Sequence, residues 1–402
     1  MIPASRTGAP APATEALCND DSPFGFYVHV ASPTEKRWMI ALEGGGACAA
    51  LDSDCLTRST KHPDLVTGIY NEKKAIWAKD GQTAGYSPSK DGIAASTDAT
   101  FGGFNKAFAN YCSSDLWSGE SSAPKAFPGF PGFSAAPKGA IRFRGATNVL
   151  AMLELLLQRY GLMDDGATRV LFVGGSAGAF GVHANAARVA NLLPTVAGAG
   201  HLRVLSDGGL SPIDWPIEKG SSATITQVFT NARASLWEGG PLHPVCENDS
   251  ANIGAEGRCY LGATALHAIA AGGGGVPPLP VMAVANELDS VLLGLQSKDK
   301  PKILLSRLGD WRQQQQTLLT TTTGAWPLWA STRLFVPCGA TNAQLANKET
   351  VHTWIWKSET DTNVSKPTVN AKTAVQRVAD VWSEWEANAP IDNTPWVQAP
   401  CP

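Results

Sequence analysis

The chain has 402 residues, of which 44% are hydrophobic and 17% are charged, and its net charge is -3. This length supplies a large core, and the weak charge leaves no basic field to attract nucleic acid or an anionic membrane. No apolar run approaches the ~20 residues of a membrane-spanning helix. Residues 1–16 are rich in alanine and proline and lack an apolar h-region. We interpret them as a flexible leader from which any signal peptide has been removed.

Apolar segments rich in strand-favouring residues alternate with segments of helical pattern along the chain. Residues 24–30 and 37–42 predict two strands that we expect to pair as a hairpin at the sheet edge. Further strands are predicted at residues 108–112, 170–173, 202–205, 279–285 and 332–336. Helices are predicted at residues 148–160, after residue 178, at 302–323 and at 366–388. Without a repeat or linker, this alternation predicts a single α/β domain over residues 17–402, with a mostly parallel sheet.

The motif of greatest chemical interest is Gly-Gly-Ser-Ala-Gly at residues 174–178. It follows the apolar strand predicted at residues 170–173 and precedes an alanine-rich helical segment, which is the context of a nucleophile elbow. In such an elbow the small residues allow a sharp turn, and the first helical amides lie beside the serine hydroxyl. The sequence therefore predicts Ser176 as a catalytic nucleophile. A tight strand-to-helix turn without chemistry is the alternative.

A glycine-rich loop follows the strand at residues 37–42. Its glycines, Gly44, Gly45 and Gly46, permit backbone amides to point at a ligand, as in the oxyanion loop of esterases. A loop that serves only the turn has the same composition. The position of this loop upstream of a nucleophile elbow favours the catalytic interpretation.

A serine hydroxyl needs a base to accept its proton and a carboxylate to orient that base. In α/β-hydrolases the acid and then the histidine follow the serine along the chain. Of seven histidines, only His352 lies beyond the last predicted strand, so we predict it as the base. Asp289, which follows the strand at residues 279–285, is the preferred acid. Asp207, one strand earlier, is the alternative, and its other interpretation is a structural hydrogen-bonding residue near the site.

Eight cysteines form an even set without a Cys-x-x-Cys pair. This spacing argues against a zinc site, and with 27 prolines and a low charge it favours disulfides in an exported protein. Thiols buried separately in a cytosolic enzyme are the alternative. The cysteines are Cys18, Cys48, Cys55, Cys112, Cys246, Cys259, Cys338 and Cys401.

Several short motifs together resemble the pectin acetylesterase family, which includes the Notum carboxylesterases. They are Leu-Glu-Gly-Gly-Gly-x-Cys at 42–48 with a cysteine at 55, Tyr-Cys-Ser-Ser-Asp at 111–115, Phe-Arg-Gly at 143–145, the elbow at 174–178, and Ser-Asp-Gly-Gly at 206–209. The resemblance implies an α/β-hydrolase fold that hydrolyses carboxylic esters without a metal or other cofactor.

The resemblance also implies roles for individual residues. Ser176 is expected to be the nucleophile, Asp289 the acid and His352 the base. The oxyanion hole is expected to consist of the amides of Gly45, Gly46 and Ala177.

Four disulfides are expected from the same cysteine set. The resemblance favours Cys48–Cys55 and Cys18–Cys112. Proximity along the chain favours Cys246–Cys259, which leaves Cys338–Cys401.

Two positions depart from the family pattern. Family members often carry an aromatic residue immediately before the oxyanion-loop cysteine, where this chain has Ala47, so the family alone does not identify the substrate. The family's histidine tends to follow a cysteine closely, whereas Cys338 lies 14 residues before His352.

The predicted function is that of a secreted, monomeric serine carboxylesterase that deacylates polysaccharide or a similar acyl ester. A lipid-ester or polyester hydrolase, a peptidase or amidase with the same triad, and a non-catalytic binding protein are the alternatives. Thirteen tryptophans suit a sugar cleft, an acyl groove or ordinary packing. They include Trp215, Trp237, Trp326 and Trp329.

Overall fold

The computed structural model describes residues 2–3, 16–50, 53–62, 65–67, 92–94, 98–130, 139–217, 220–285, 310–311, 313–314, 332–336, 373–387 and 396–397. The preferred acid Asp289 and the predicted base His352 lie outside these residues. So do Cys338 and Cys401, Trp326 and Trp329, and most of the predicted helix at 302–323.

Eleven strands are present in the described ranges. They are β1 (Ile2–Pro3), β2 (Gly25–His29), β3 (Arg37–Leu42), β4 (Asn105–Ala109), β5 (Lys125–Ala126), β6 (Ala140–Ile141), β7 (Arg169–Gly175), β8 (Leu202–Asp207), β9 (Val281–Val284), β10 (Thr332–Val336) and β11 (Trp396–Val397). Nine of them form one sheet in the order β1-β2-β4-β3-β7-β8-β9-β10-β11. The pairs β1–β2 and β2–β4 are antiparallel, and all other neighbours in this sheet are parallel.

The hairpin expected from residues 24–30 and 37–42 is wrong, although both strands form. Strand β4 lies between them, with Ala109 opposite Phe26 of β2 on one side and Leu42 of β3 on the other. All five residues of β4 are buried, as suits a strand with neighbours on both edges. The Asn105 side chain also binds the connection from β2 to β3, since it accepts from the Ala31 amide (2.9 Å) and donates to the Glu35 carbonyl (2.9 Å).

Helices cover both faces of the large sheet. They are α1 (Ser53–Lys61), α2 (Gly145–Arg159), α3 (Ala177–Leu192), α4 (Pro194–Gly198), α5 (Ile225–Asn231), α6 (Pro244–Glu247), α7 (Gly262–Ala271) and α8 (Ala374–Glu386). A π-helix at Ala232–Trp237 continues α5, and a 3₁₀ segment at Glu256–Tyr260 precedes α7. No helix among the described residues is long and apolar enough to cross a membrane.

Successive side chains of the central strands point to opposite faces of the sheet and pack in two separate cores. Ile40 of β3 and Phe172 of β7 pack in the larger core with α2, α3 and α7. Met39 and Leu171 point the other way and pack in the smaller core with α8. A mostly parallel sheet with helices on both faces confirms the predicted α/β class, and the strand order defines an α/β-hydrolase-like fold.

The last described helix, α8, lies within the predicted helix at residues 366–388, and its apolar side chains pack in the smaller core. It begins at a capping box, in which the Thr373 side chain accepts from the Gln376 amide. The guanidinium carbon of Arg203 on β8 lies 4.4 Å from the ring centre of Trp382 and 5.5 Å from that of Trp385. Burial lowers the pKa of Arg203 to about 10, so the side chain stays charged and makes cation–π contacts at neutral pH.

Three disulfides link loops around the sheet, at three of the four expected pairings: Cys18–Cys112, Cys48–Cys55 and Cys246–Cys259. The first joins the segment before β2 to the loop after β4. In the loop after this disulfide, β5 pairs with β6, and the side chains of Phe127 and Phe130 are buried.

Candidate active site

Ser176 lies at the turn between β7 and α3. Its backbone angles, φ 57° and ψ −125°, lie in a region that residues other than glycine rarely occupy. The Ser176 amide donates to the Asp207 carbonyl (2.8 Å), and the Ser176 carbonyl accepts from the Ala179 amide (2.9 Å). These bonds hold the strained turn from both sides, as expected for a nucleophile elbow.

Two glycines permit this turn because the backbone around them is in contact with other backbone. A Cβ atom at Gly174 would overlap the carbonyl of Gly178. A Cβ atom at Gly178 would overlap the carbonyl of Leu42, the last residue of β3. The Gly-x-Ser-x-Gly pattern is therefore a packing requirement as well as a turn signal.

The loop after β3, residues 43–48, lies directly against the elbow, and we call it the glycine loop. A Cβ atom at Gly44 would lie 2.6 Å from the Gly175 carbonyl oxygen and 2.9 Å from the Ser176 Cβ. Gly46 has φ 73°, in the left-handed region that favours glycine. The absence of side chains thus lets the glycine loop approach the serine.

The predicted oxyanion donors are two amides of the glycine loop and the amide that directly follows Ser176. Within the described ranges, the amides of Gly45, Gly46 and Ala177 donate to no backbone carbonyl. Ala177 is the first residue of α3, where helical amides have no intrahelical partner and carry partial positive charge. Such donors suit a negatively charged oxygen.

A pocket of about 110 Å³ opens beside Ser176. Apart from the serine, every described side chain along it is apolar or absent. The described lining consists of Gly46, Ala47, Ala49, Leu116, Ser176, Ala177, Phe180, Ile225, Val228 and Phe229. Away from Ser176 and the backbone of Gly46 and Ala177, a group bound there would contact apolar side chains. Trp215 and Trp237 are buried in the core and do not belong to this described lining.

Asp207, the alternative acid, ends β8 beside the elbow. Its side chain is fully buried, and Asp207 pairs with Gly175 of β7 and Val284 of β9. Its carbonyl accepts the Ser176 amide, so its backbone already has a structural role in the turn. The choice between Asp289 and Asp207 stays a prediction.

The buried histidine nearest in sequence to the serine, His183 on α3, is unsuited to act as its base. Its Nδ1 lies 2.8 Å from the Tyr260 carbonyl, and its Nε2 lies 2.9 Å from Ser206 Oγ. Because a carbonyl only accepts, Nδ1 carries the proton and Nε2 accepts from the hydroxyl. Burial lowers the pKa of His183 to about 4, so the ring is neutral at pH 7.

The other described histidines also lie away from the pocket lining. The carbonyl of His201 accepts from the Val170 amide at the start of β7, whereas Ser176 follows the end of that strand. His243 caps α6 through Nδ1, and burial lowers its pKa to about 4. His29, His62 and His267 are likewise absent from the described lining. His352 therefore stays the predicted base, since no histidine of the described residues lines the pocket.

Asp115 organises the loops behind the glycine loop, a role that its place in a family motif did not reveal. Its Oδ1 accepts from Ser113 Oγ (2.7 Å) and the Trp117 amide (3.0 Å). Its Oδ2 accepts from the amides of Gly119 (3.1 Å) and Gly145 (2.7 Å). Burial raises the pKa of Asp115 to about 6 even though these four hydrogen bonds favour the carboxylate.

The strained serine, the facing glycine loop and the sheet topology define an α/β-hydrolase-like protein with the backbone geometry of a nucleophile elbow. The chain belongs to the pectinacetylesterase family, whose model matches residues 9–234. This match confirms the resemblance seen in the motifs. It includes the glycine loop, the elbow and β8, and it ends before Asp289 and His352.

Curated relatives of the chain are palmitoleoyl-protein carboxylesterases. NOTUM of Homo sapiens is 32% identical over 197 residues, which are 49% of this chain and 34% of the relative. The protein notum1' of Xenopus laevis is 32% identical over 193 residues, 48% of this chain and 34% of the relative. NOTUM of Schmidtea mediterranea is 28% identical over 178 residues, 44% of this chain and 29% of the relative. The chain thus spans about a third of the length of these relatives.

The buried neutral His183 predicts a specific loss of stability in acid. Between its ordinary pKa of 6.5 and its folded value of about 4, the unfolded chain binds a proton that the folded chain does not. This group therefore stabilises the fold above pH 6.5, and its contribution decreases as the pH falls towards 4. We expect the contribution at about pH 4.5 to be smaller than at neutral pH by roughly 2.5 kcal/mol.

Urea unfolding of the wild type and of His183→Gln at about pH 7.5 and 4.5 measures this effect. The glutamine retains a donor and an acceptor but gains no proton, so its free energy of unfolding should depend less on pH. The variant should also retain ester hydrolysis. Equal pH dependence in the two proteins would contradict the assignment, and loss of hydrolysis in a folded variant would reopen His183 as the base.

Proposed function

We propose that this protein is a serine carboxylesterase in which Ser176 attacks the carbonyl carbon of an ester. The observation that carries the proposal is the strained Ser176 directly opposite the glycine loop, with the amides of Gly45, Gly46 and Ala177 free of backbone carbonyls in the described structure. Membership of the pectinacetylesterase family and the carboxylesterase names of the relatives support the same reaction class.

In the proposed mechanism His352 accepts the Ser176 proton as the serine oxygen bonds to the ester carbon. Negative charge develops on the carbonyl oxygen, and the three backbone amides stabilise it. Collapse of the intermediate expels the alcohol, which takes the proton from His352, and leaves an acyl-serine. Water then attacks the acyl-serine by the same route and releases the carboxylic acid. Asp289 orients His352 and stabilises its charged form.

The apolar lining of the pocket favours a substrate whose acyl group is longer than acetyl. Its described side chains, among them Leu116, Phe180 and Phe229, offer contact to hydrocarbon and no hydrogen-bonding partner to a sugar. We therefore propose that the aliphatic part of the acyl group occupies this pocket, as in a lipid or polyester substrate. The three disulfides support the further proposal that the protein is exported.

Hydrolysis of p-nitrophenyl esters of increasing chain length tests this function. Each methylene that enters the pocket contributes about 0.8 kcal/mol of burial. We therefore predict that kcat/KM rises by up to about fourfold per added methylene, starting from acetate, until the pocket is full. Ser176→Ala should lower kcat at every chain length by at least about 10³-fold.

The matched control for this experiment is Ser235→Ala, which removes an exposed hydroxyl that donates to the Asn231 carbonyl (2.7 Å). It should retain wild-type kcat. A peptide p-nitroanilide, which has an amide bond in place of the ester bond, tests for amidase activity. No hydrolysis of any ester by the wild type, or full activity in Ser176→Ala, would contradict the proposed function. A fall in kcat/KM on going from acetate to butyrate would contradict the acyl pocket alone.

The identity of the triad acid can be tested with isosteric amides. An orienting carboxylate fixes the histidine tautomer, so its replacement by an amide lowers turnover by about 10⁴-fold with little change in substrate affinity. We predict this behaviour for Asp289→Asn. Asp207→Asn should instead lower the free energy of unfolding, because the Asp207 side chain is fully buried beside the elbow. A large turnover defect confined to a folded Asp207→Asn protein would assign the acid to β8.

A further inference from the structure

Two buried tryptophans bind the two ends of the glycine loop. We infer that Trp117 and Trp237 are positioning residues, whose indole N–H groups hold this loop in the geometry that the oxyanion requires. The inference rests on the proposed esterase function, because it assigns the loop amides to the transition state. Neither tryptophan belongs to the described pocket lining, so any effect on catalysis must pass through the loop or through packing.

The first indole holds the start of the loop. Trp117 Nε1 donates to the Glu43 carbonyl (3.0 Å), and the Tyr111 amide donates to Glu43 Oε2 (2.8 Å). The Trp117 and Tyr111 rings are fully buried, with their centres 5.0 Å apart. Trp117 is itself fixed, since its amide donates to Asp115 and its ring packs over Gly181 of α3. The anchor at Glu43 is therefore part of the rigid core.

The second indole holds the end of the loop. Trp237 Nε1 donates to the Cys48 carbonyl (2.8 Å), and the Cys48 amide donates to the Ser114 carbonyl (2.7 Å). Trp237 is fully buried at the end of the π-helix. Its ring centre lies 6.1 Å from that of Phe229, which lines the pocket. This anchor thus connects the loop to the element that carries the pocket wall.

Between these anchors the loop has only four residues, of which three are glycines. Glycine has no side chain with which to restrict its backbone, so fixing it costs more conformational entropy than fixing any other residue. An oxyanion hole is effective only when its donors are already oriented before the charge develops. Fixed carbonyls at both ends limit the conformations that the intervening amides can adopt, which supplies this orientation.

The indole N–H groups can be removed while most of the packing is kept. We predict that Trp117→Phe and Trp237→Phe each lower kcat on a p-nitrophenyl ester by roughly 10- to 100-fold, with KM within about twofold of wild type. Affinity for a trifluoromethyl ketone, which forms a tetrahedral adduct with a catalytic serine, should fall by the same factor as kcat. The pH dependence of kcat should be unchanged, because no titrating group is altered.

The matched control is Trp382→Phe, a fully buried tryptophan on α8 in the core on the opposite face of the sheet. It loses comparable packing without touching the glycine loop, so it should lower Tm and leave kcat unchanged. If a phenylalanine variant fails to fold, benzothienylalanine at position 237 keeps the bicyclic ring and replaces the N–H with sulfur. The same fall in kcat is expected for that protein.

The outcomes separate the inference from the proposed function. An inactive wild type would overturn both. An active wild type with unchanged kcat and unchanged ketone affinity in the folded Trp117 and Trp237 variants would overturn only the positioning role. Equal losses of kcat in these variants and in Trp382→Phe would show that general packing is responsible, and would also overturn it.

Discussion

Direct contact between backbone segments around Ser176 is the constraint on which the rest of the site depends. Gly178 at the start of α3 lies against the last carbonyl of β3, and Gly44 lies against Ser176 itself. A single Cβ atom at either glycine would separate these segments. The glycine loop can therefore lie against the serine only because no side chain stands between them. The positive φ of Ser176 is the conformational strain that accompanies this arrangement.

A strained turn and a side-chain-free loop persist only when their surroundings hold them in place. Here both buried polar groups and apolar side chains hold the turn and the loop. Asp115 accepts amides from two segments, its own loop and the start of α2, and Gly119 and Gly145 leave room for its carboxylate, because a Cβ atom at either position would overlap it. The disulfide Cys18–Cys112 links the Asp115 loop to the segment before β2, and Cys48–Cys55 links the end of the glycine loop to α1. The two cores keep β3 and β7 in register beneath them.

Local features of the site were predictable from the sequence, because a strand, a Gly-x-Ser-x-Gly turn and a helix are encoded within about 25 consecutive residues. Strand β3 and a helix that includes α8 were predictable for the same reason. Strand pairing was not: β2 pairs with β4, which lies about 80 residues further on, and no local signal identifies that partner. The two indole anchors and the four donors to Asp115 also depend on distant residues. Cys48 and Trp237, for example, are 189 positions apart. Asp289 and His352, outside the described residues, stay predictions from chain order and family pattern.

The central claim, that Ser176 is the nucleophile, can be tested by covalent labelling with a serine-directed phosphonate followed by tryptic peptide mapping. Cleavage after Arg169 and Arg188 releases residues 170–188, a peptide in which Ser176 is the only serine and which contains no threonine or tyrosine. The mass of the labelled peptide therefore assigns the site without fragmentation. We predict that the phosphonate adduct is found on this peptide alone and that its formation abolishes ester hydrolysis. An adduct on a different peptide, with residues 170–188 unmodified in the inactivated protein, would contradict the account.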